Sequence, residues 1–245
     1  MNEVMELMKK HRSIRRFTER EVEEELLKEI IDSARHSATS SFLQAYSVVR
    51  VRDDANREKL AAYCGDQKHV KQAPVFLVFC ADLHKLSVAC DLQGAEMKKG
   101  YVEQLIIASV DAAIWGQSVL FAAESMGLGG VYVGGIRNHP DEVTEMLKLP
   151  EQVFPVFGMS LGYPDQNPQV KPRMPLPLVY KEDIYLMDKE KELLKEYDES
   201  FLEYLRSRES NPREETWTET VASKVSKESR PHMKAYLQKQ GFNIN

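Results

Sequence analysis

The side chains able to do chemistry fall into five short clusters. His11-Arg12-Ser13-Ile14-Arg15-Arg16 gathers three guanidiniums, an imidazole and a hydroxyl. Arginine forks suit phosphate oxygens and carbonyl edges. The same composition also describes a solvated turn whose arginines pair with the nearby glutamates, and the two readings weigh about equally. Ser37-Ala38-Thr39-Ser40-Ser41, followed by Phe42-Leu43-Gln44, offers hydroxyls that either cap a helix and form turns or line a ligand's phosphate and ring edge. Gly129-Gly130-Val131-Tyr132-Val133-Gly134-Gly135-Ile136-Arg137 flanks a short β-branched run with paired glycines, which permit close backbone approach to a ligand or to another chain segment. Lys171-Pro172-Arg173-Met174-Pro175 holds two cations on a proline-stiffened loop, so an anion could be gripped there with little loss of ordering entropy. Arg206, Arg208 and Arg213 surround Asn211-Pro212, a solvated helix end or a second anion site.

Several machines have no visible parts. The run from Gly127 to Gly135 fails G-x-G-x-x-G, because Tyr132 stands at the third glycine, and it leads into a strand where a dinucleotide turn leads out of one. No phosphate loop of the G-x-x-x-x-G-K-[ST] type occurs, nor H-E-x-x-H, nor G-x-S-x-G. The histidines are scattered without zinc-ligand spacing. Redox chemistry on a bound cofactor survives this pruning, since the cofactor carries the difficult step and asks few groups of the protein.

These clusters need elements to hold them. Val4, Leu7 and Met8 predict a short first helix ending near His11. Val22, Leu26, Ile30 and Ala34, widened by Leu27 and Ile31, predict a second, with Thr18 and Glu21 as a capping box at its start. Strands are expected at Tyr46–Arg52, Pro74–Ala81, Gly130–Val133 and Phe154–Leu161, the second central because it is continuously apolar. Helices are expected at Arg57–Tyr63 and Pro140–Leu147, the latter capped by Asn138 or His139. Val102–Met126 is apolar nearly all round and long enough to span a membrane, but Glu103, Gln104, Asp111, Gln117 and Glu124 interrupt it. It reads as a core or subunit-interface helix. Prolines 164, 168, 172, 175 and 177 exclude a continuous helix from Tyr163 to Val179, and charged helices are expected at Lys189–Arg206 and Thr216–Gln240.

The 245 residues are 42% hydrophobic and 29% charged, with a net charge of −5, the composition of a soluble globular enzyme and no basic stripe for nucleic acid. Cys64, Cys80 and Cys90 form no C-x-x-C pair, and Met1–Lys10 lacks a signal peptide's apolar stretch, so a reducing cytoplasm is the expected setting, with no membrane partner.

H-R-S-I-R, T-S-S-F-L-Q, G-G-V-Y-V-G-G-I-R-N and K-P-R-M-P, in that order, with N-P-R-E-E-T-W and K-E-S-R-P later, resemble the NADPH-dependent, oxygen-insensitive nitroreductases and flavin reductases. The matches run from about residue 11 to residue 242. The resemblance implies an α+β nitroreductase-like fold, with a mainly antiparallel sheet flanked by helices in an intertwined homodimer. Residues 1–245 would form a single domain, with 163–245 an extended arm on the body or the partner subunit. It implies non-covalent FMN held by His11, Arg12, Ser13, Arg15, Thr39, Ser40, Ser41, Gln67, Tyr132, Val133, Gly134, Gly135, Lys171 and Arg173. Arg15 or Lys171 would stabilise the negative charge of the reduced flavin. It places the NADPH 2′-phosphate on Arg208 and Arg213, and the substrate side on Phe42, Arg137 and Arg230. The activity implied is ping-pong two-electron transfer from NADPH to small-molecule oxidants: nitroaromatics, quinones or free flavin. A non-catalytic flavin-binding protein or an electron carrier is the alternative. A flavodoxin-type carrier would open on a strand followed by its hydroxyl-rich phosphate loop, whereas this chain opens on a helix.

Overall fold

The computed structural model describes residues 2–186, 188–209 and 211–242. The chain divides into two compact units, one of residues 1–167 with 230–245 and one of residues 168–229.

The first unit is built on four antiparallel strands: β1 (Tyr46–Arg50), β2 (Val75–Asp82), β3 (Gly129–Val133) and β4 (Val153–Gly162), in the order β1-β2-β4-β3. All eight residues of β2 are buried, as its unbroken apolar run requires of a strand covered on both faces. One face carries α2 (Glu24–Ala34) and α6 (Val102–Ser125), around a core of Leu27, Ile30, Phe79, Trp115, Val119, Phe157 and Met159. The other carries α3 (Asp54–Tyr63), α4 (Lys68–Gln72) and α7 (Pro140–Leu147), around Leu60, Val70, Phe76, Val78, Ile136 and Val143. Buried Arg57 fixes α3 to α4 by donating to the Val70 and Ala73 carbonyls. The unit also contains α1 (Glu3–Lys9) and α5 (His84–Leu92).

α6 meets the test of length and hydropathy for a membrane span. In the fold, one face of it, with Ala108, Ala112, Trp115, Val119 and Ala123, is buried against the sheet. Val102, Ile106, Val110 and Ile114, spaced by four, remain exposed on another.

Three sequence expectations need correction. The second helix begins at Glu24, and Thr18 and Glu21 form no capping box: the Thr18 amide donates to the Tyr163 carbonyl at 2.9 Å, in the tertiary contact where Phe17 bridges Pro164. Glu23 stands at the N-cap, but its carboxylate accepts from Arg20 (2.8 Å) and from the Tyr163 hydroxyl (2.9 Å). His139 occupies the N-cap of α7 without a side-chain cap bond. The expected helix over Thr216–Gln240 is broken into α10 (Trp217–Val225) and α11 (Met233–Lys239). Pro231 disfavours the right-handed region for the residue before it, and Arg230 takes a left-handed φ of 58°. α11 then returns to the first unit, where Tyr236 and Thr144 share a hydroxyl hydrogen bond of 2.7 Å.

The second unit holds α8 (Leu176–Val179), α9 (Glu190–Arg206) and α10. Tyr197 on α9 meets Trp217 edge-on and Phe201 at a tilt. At its head α10 has a full capping box between Thr216 and Glu219.

Candidate functional site

β3 organises most of the candidate residues of the first unit. At its start Ser13 bridges Gly130 in parallel, and the Ile14 amide donates to the Gly130 carbonyl at 2.9 Å. Gly129 and Gly130 are needed for this packing, because a β-carbon would lie 2.6 Å from the Ile14 side chain at the first and 2.6 Å from Leu161 at the second. The arginine cluster is therefore clamped to the strand at Ser13 and Ile14. His11 is held by Glu124 at the C-terminal end of α6, with Nδ1 to carboxylate oxygen 2.6 Å. Arg12 donates to the Asn167 side-chain oxygen, and Arg16 to the Asp165 carbonyl at 2.9 Å. Arg15 makes no ion pair with a carboxylate among the described residues, and its charge joins burial in lowering the pKa of His69, with burial the larger cause. The His69 Nε2 is buried without a hydrogen-bond partner among the described residues.

At the other end of β3, Val133 passes into a tight turn, Gly134–Arg137. A β-carbon on Gly135 would sit 2.7 Å from the Cys64 carbonyl, so this glycine brings the turn against the 64–67 loop. There Gln67 donates its side-chain amide to the same carbonyl at 2.7 Å. Gly134, by contrast, faces open space apart from the Arg137 guanidinium 3.6 Å away. Arg230 donates to Asn138 Oδ1 (3.0 Å) and to the Gly134 carbonyl (3.2 Å), and Arg137 donates to the Val156 carbonyl. Both guanidiniums are half-buried with neutral partners. Desolvation, and secondarily the Arg230 charge, lowers the Arg137 pKa; burial pushes the Cys64 thiol up to about 12. Tyr132 sits between, its ring edge-on to Phe157 and its hydroxyl donating to Gln117 at 3.3 Å. Burial raises its pKa, helped by the Glu124 charge.

The hydroxyl cluster lies elsewhere along α6. The Ser40 and Ala45 amides donate to the two carboxylate oxygens of Asp111 at 3.0 and 3.2 Å. Asp111 is 1% exposed. Ser41, Phe42 and Gln44 all take left-handed φ, 48°, 58° and 53°, a strained run held open by that anchor. It leaves Phe42 80% exposed, while Thr39 Oγ1 is buried without a partner among the described residues. From Asp111 to Glu124 the helix rises about 20 Å. Within one chain, Ser40 and its neighbours Thr39, Ser41 and Phe42 are thus tied near the middle of α6, and His11–Arg15 at its C-terminal end.

The second unit holds Lys171, Arg173, Arg208 and Arg213. The Tyr197 hydroxyl donates to the Pro172 carbonyl at 3.1 Å, between the two cations of the proline loop. Half-buried Arg208 and exposed Arg213 lie in the connection from α9 to α10.

Asp111, Glu124, His69 and Asn138 were not singled out from the sequence as site residues. The first two were visible only as polar interruptions in an apolar helix, and neither could be matched to its partner without the fold.

Comparison with known proteins places this arrangement. Residues 8–163 match the nitroreductase family model, and residues 171–245 match the C-terminal domain model of the nitroreductase family. The chain is 47% identical over 242 residues to the oxygen-insensitive NADPH nitroreductase of Salmonella typhimurium, covering 99% of each protein. It is 42% identical over 242 residues to the NADPH-flavin oxidoreductase of Vibrio harveyi, again covering 99% of each. A solved structure of NADPH:FMN oxidoreductase from Vibrio harveyi complexed with NAD+ superimposes with a TM-score of 0.91 at 39% identity, covering all of both chains. The α+β fold with its antiparallel sheet is the nitroreductase fold, and the chain belongs to the nitroreductase family.

Proposed function

We propose that this chain is an FMN-dependent NADPH oxidoreductase that reduces nitroaromatics, quinones or free flavin by ping-pong two-electron transfer, acting as a cytoplasmic homodimer. Relatives of nearly equal length are named NADPH nitroreductase, NADPH-flavin oxidoreductase and FMN reductase (NADPH), which supports both the donor and the cofactor.

The observation that carries the reading is the set of cations around β3: Arg15 near its start, Arg137 and Arg230 at its end, none ion-paired to a carboxylate among the described residues. Unneutralised guanidiniums suit a ligand that brings negative charge of its own. The residues fit FMN on three further counts. Gly134 leaves room beside its backbone, and the buried Thr39 Oγ1 and His69 Nε2 are polar atoms with no partner among the described residues.

His11, Arg12, Ser13, Arg15, Lys171 and Arg173 are assigned to the FMN phosphate and the pyrimidine edge. Thr39, Ser40, Ser41 and Gln67 supply hydrogen bonds, and Tyr132–Gly135 give backbone approach. Held by these residues, FMN would supply the redox chemistry, a two-electron transfer between NADPH and an oxidant. Arg15 or Lys171 stabilises negative charge at the ring's pyrimidine edge. Phe42, Arg137 and Arg230 line the substrate side, and Arg208 and Arg213 grip the NADPH 2′-phosphate.

Dimerisation is supported by the exposed stripe Val102, Ile106, Val110 and Ile114, because an aligned apolar row on a helix is normally covered. A second copy would also supply the hydroxyl loop that one chain holds away from its own arginine cluster.

The test is a turnover panel. Protein loaded with FMN should oxidise NADPH steadily on addition of a nitroaromatic, a quinone or free FMN, with parallel double-reciprocal plots. Bound FMN without turnover would favour the carrier or storage alternative, and protein that cannot be loaded with FMN would defeat the reading.

A further inference from the structure

Glu209, Glu214 and Glu215 stand among Arg206, Arg208 and Arg213, and by charge count they oppose a phosphate there. The geometry gives Glu214 a different part. Its two carboxylate oxygens accept from the Arg206 guanidinium: from Nε at 3.0 and 2.9 Å and from Nη2 at 2.6 Å. This fork joins the last residue of α9 to a residue just before α10. Beside it, shifted one residue back on each side, the Arg213 amide donates to the Leu205 carbonyl at 3.3 Å. On the outgoing side, the Ser207 hydroxyl donates to Gln169 Oε1 at 3.1 Å. Residues 207–209 and 211–213, with Arg208 and Arg213, are therefore tied together where they leave α9 and approach α10. Asn211 turns the chain with a left-handed φ of 56° ahead of Pro212.

The fork is solvent-exposed, and pairs of this kind add little to folding stability. Its consequence is conformational. A loop closed at its base samples fewer states, so two guanidiniums converge on a dianion with less ordering cost. The Arg206 bond also holds the Glu214 carboxyl below its usual range, so it stays charged and clamped.

We propose that Arg206 and Glu214 are positioning residues that set the preference for NADPH over NADH by closing the base of the loop that carries Arg208 and Arg213. The proposal rests on the assignment of those two arginines to the 2′-phosphate. It opposes the simpler electrostatic picture in sign. If Glu214 merely repelled the phosphate, its removal would tighten NADPH binding.

The experiment measures kcat and KM for NADPH and NADH in FMN-loaded, full-length Glu214→Ala, in Arg206→Glu/Glu214→Arg, and in Arg208→Ala. Adenosine 2′-phosphate serves as a competitive probe in each. Glu214→Ala should raise the NADPH KM about three- to tenfold, the range of one weakened charged contact. The NADH KM and both kcat values should stay within about twofold, and adenosine 2′-phosphate should weaken in step with NADPH. The charge-swapped double variant should recover most of the selectivity, which a generally disturbed helix end would not. A Glu214→Ala protein with unchanged or lower NADPH KM overturns the proposal, and if Arg208→Ala still abolishes selectivity, the phosphate site itself stands. An Arg208→Ala protein that keeps its selectivity removes the site assignment and the proposal together.

Discussion

Asp111 is a buried carboxylate on a largely apolar helix, and its two oxygens accept the amides of Ser40 and Ala45. Truncation leaves two amides without that acceptor, at about 1–3 kcal/mol for each one that stays buried. Asp111→Ala should therefore lower the urea midpoint clearly, and Asp111→Asn, which keeps one acceptor oxygen, should lower it less. Because Asp111 anchors the strained run at Ser41, Phe42 and Gln44, the alanine variant should also bind FMN more weakly. Equal urea midpoints for wild type and both variants would show that the loop needs no anchor. The cysteines make a second test at this scale. Burial pushes the thiols of Cys64 and Cys80 up to about 12, while Cys90 is partly exposed. A group whose pKa lies that high is neutral at pH 8, and the thiolate is the reactive form. A thiol-specific reagent at pH 8 should modify Cys90 in the folded protein and reach Cys64 and Cys80 only after denaturation. Rapid labelling of all three in the native state would contradict the burial.

The seam between α6 and the sheet turns on Gly116. A glycine inside a helix costs about 1 kcal/mol against alanine, so propensity alone predicts that Gly116→Ala stabilises. Its β-carbon, however, would lie 2.7 Å from the Phe157 ring. That ring stacks on Phe79 and takes the Tyr132 edge, so it has little room to retreat. Overpacking of about 1–3 kcal/mol outweighs the gain, and net destabilisation is expected in urea unfolding. A more stable variant would show that the ring gives way freely. Elements like α6 and β2 were legible in the sequence because their apolar runs carry the signal locally. Pro140–Leu147 was recovered with both its boundaries. The false start at Thr18 had a local cause too: the capping pattern was present, but Tyr163, far along the chain, takes the Thr18 amide. The clusters were legible as residue types and order. Their spacing in three dimensions was not, because whether Ser40 lies near Arg15 depends on which residues of α6 each segment is tied to. Glu214 shows the same limit, since charge count made it a rival to the arginines while its partner is Arg206.

For the whole molecule, the separation along α6 joins two properties usually measured apart. One chain ties its hydroxyl loop to Asp111 and its arginine cluster to Glu124, about 20 Å further along the same helix. If one FMN draws on both, it binds the dimer and not the monomer, and by mass action flavin affinity must rise with protein concentration. The exposed row Val102, Ile106, Val110 and Ile114 gives a handle on that linkage that spares the core. Ile106→Lys changes a side chain 51% exposed in the single chain, so the fold of each protomer should survive while its apolar contact with a second copy is lost. Sedimentation should find the parent dimeric and the variant monomeric, and the variant's FMN dissociation constant should rise by roughly tenfold or more, the equivalent of one lost charged contact or a few neutral ones. Ile106→Leu should leave both unchanged, and unaltered far-UV circular dichroism would confirm that Ile106→Lys remains folded. A monomer that binds FMN as tightly as the parent would mean that each chain completes its own flavin site, and a lysine variant that stays dimeric would move the interface away from this face of α6.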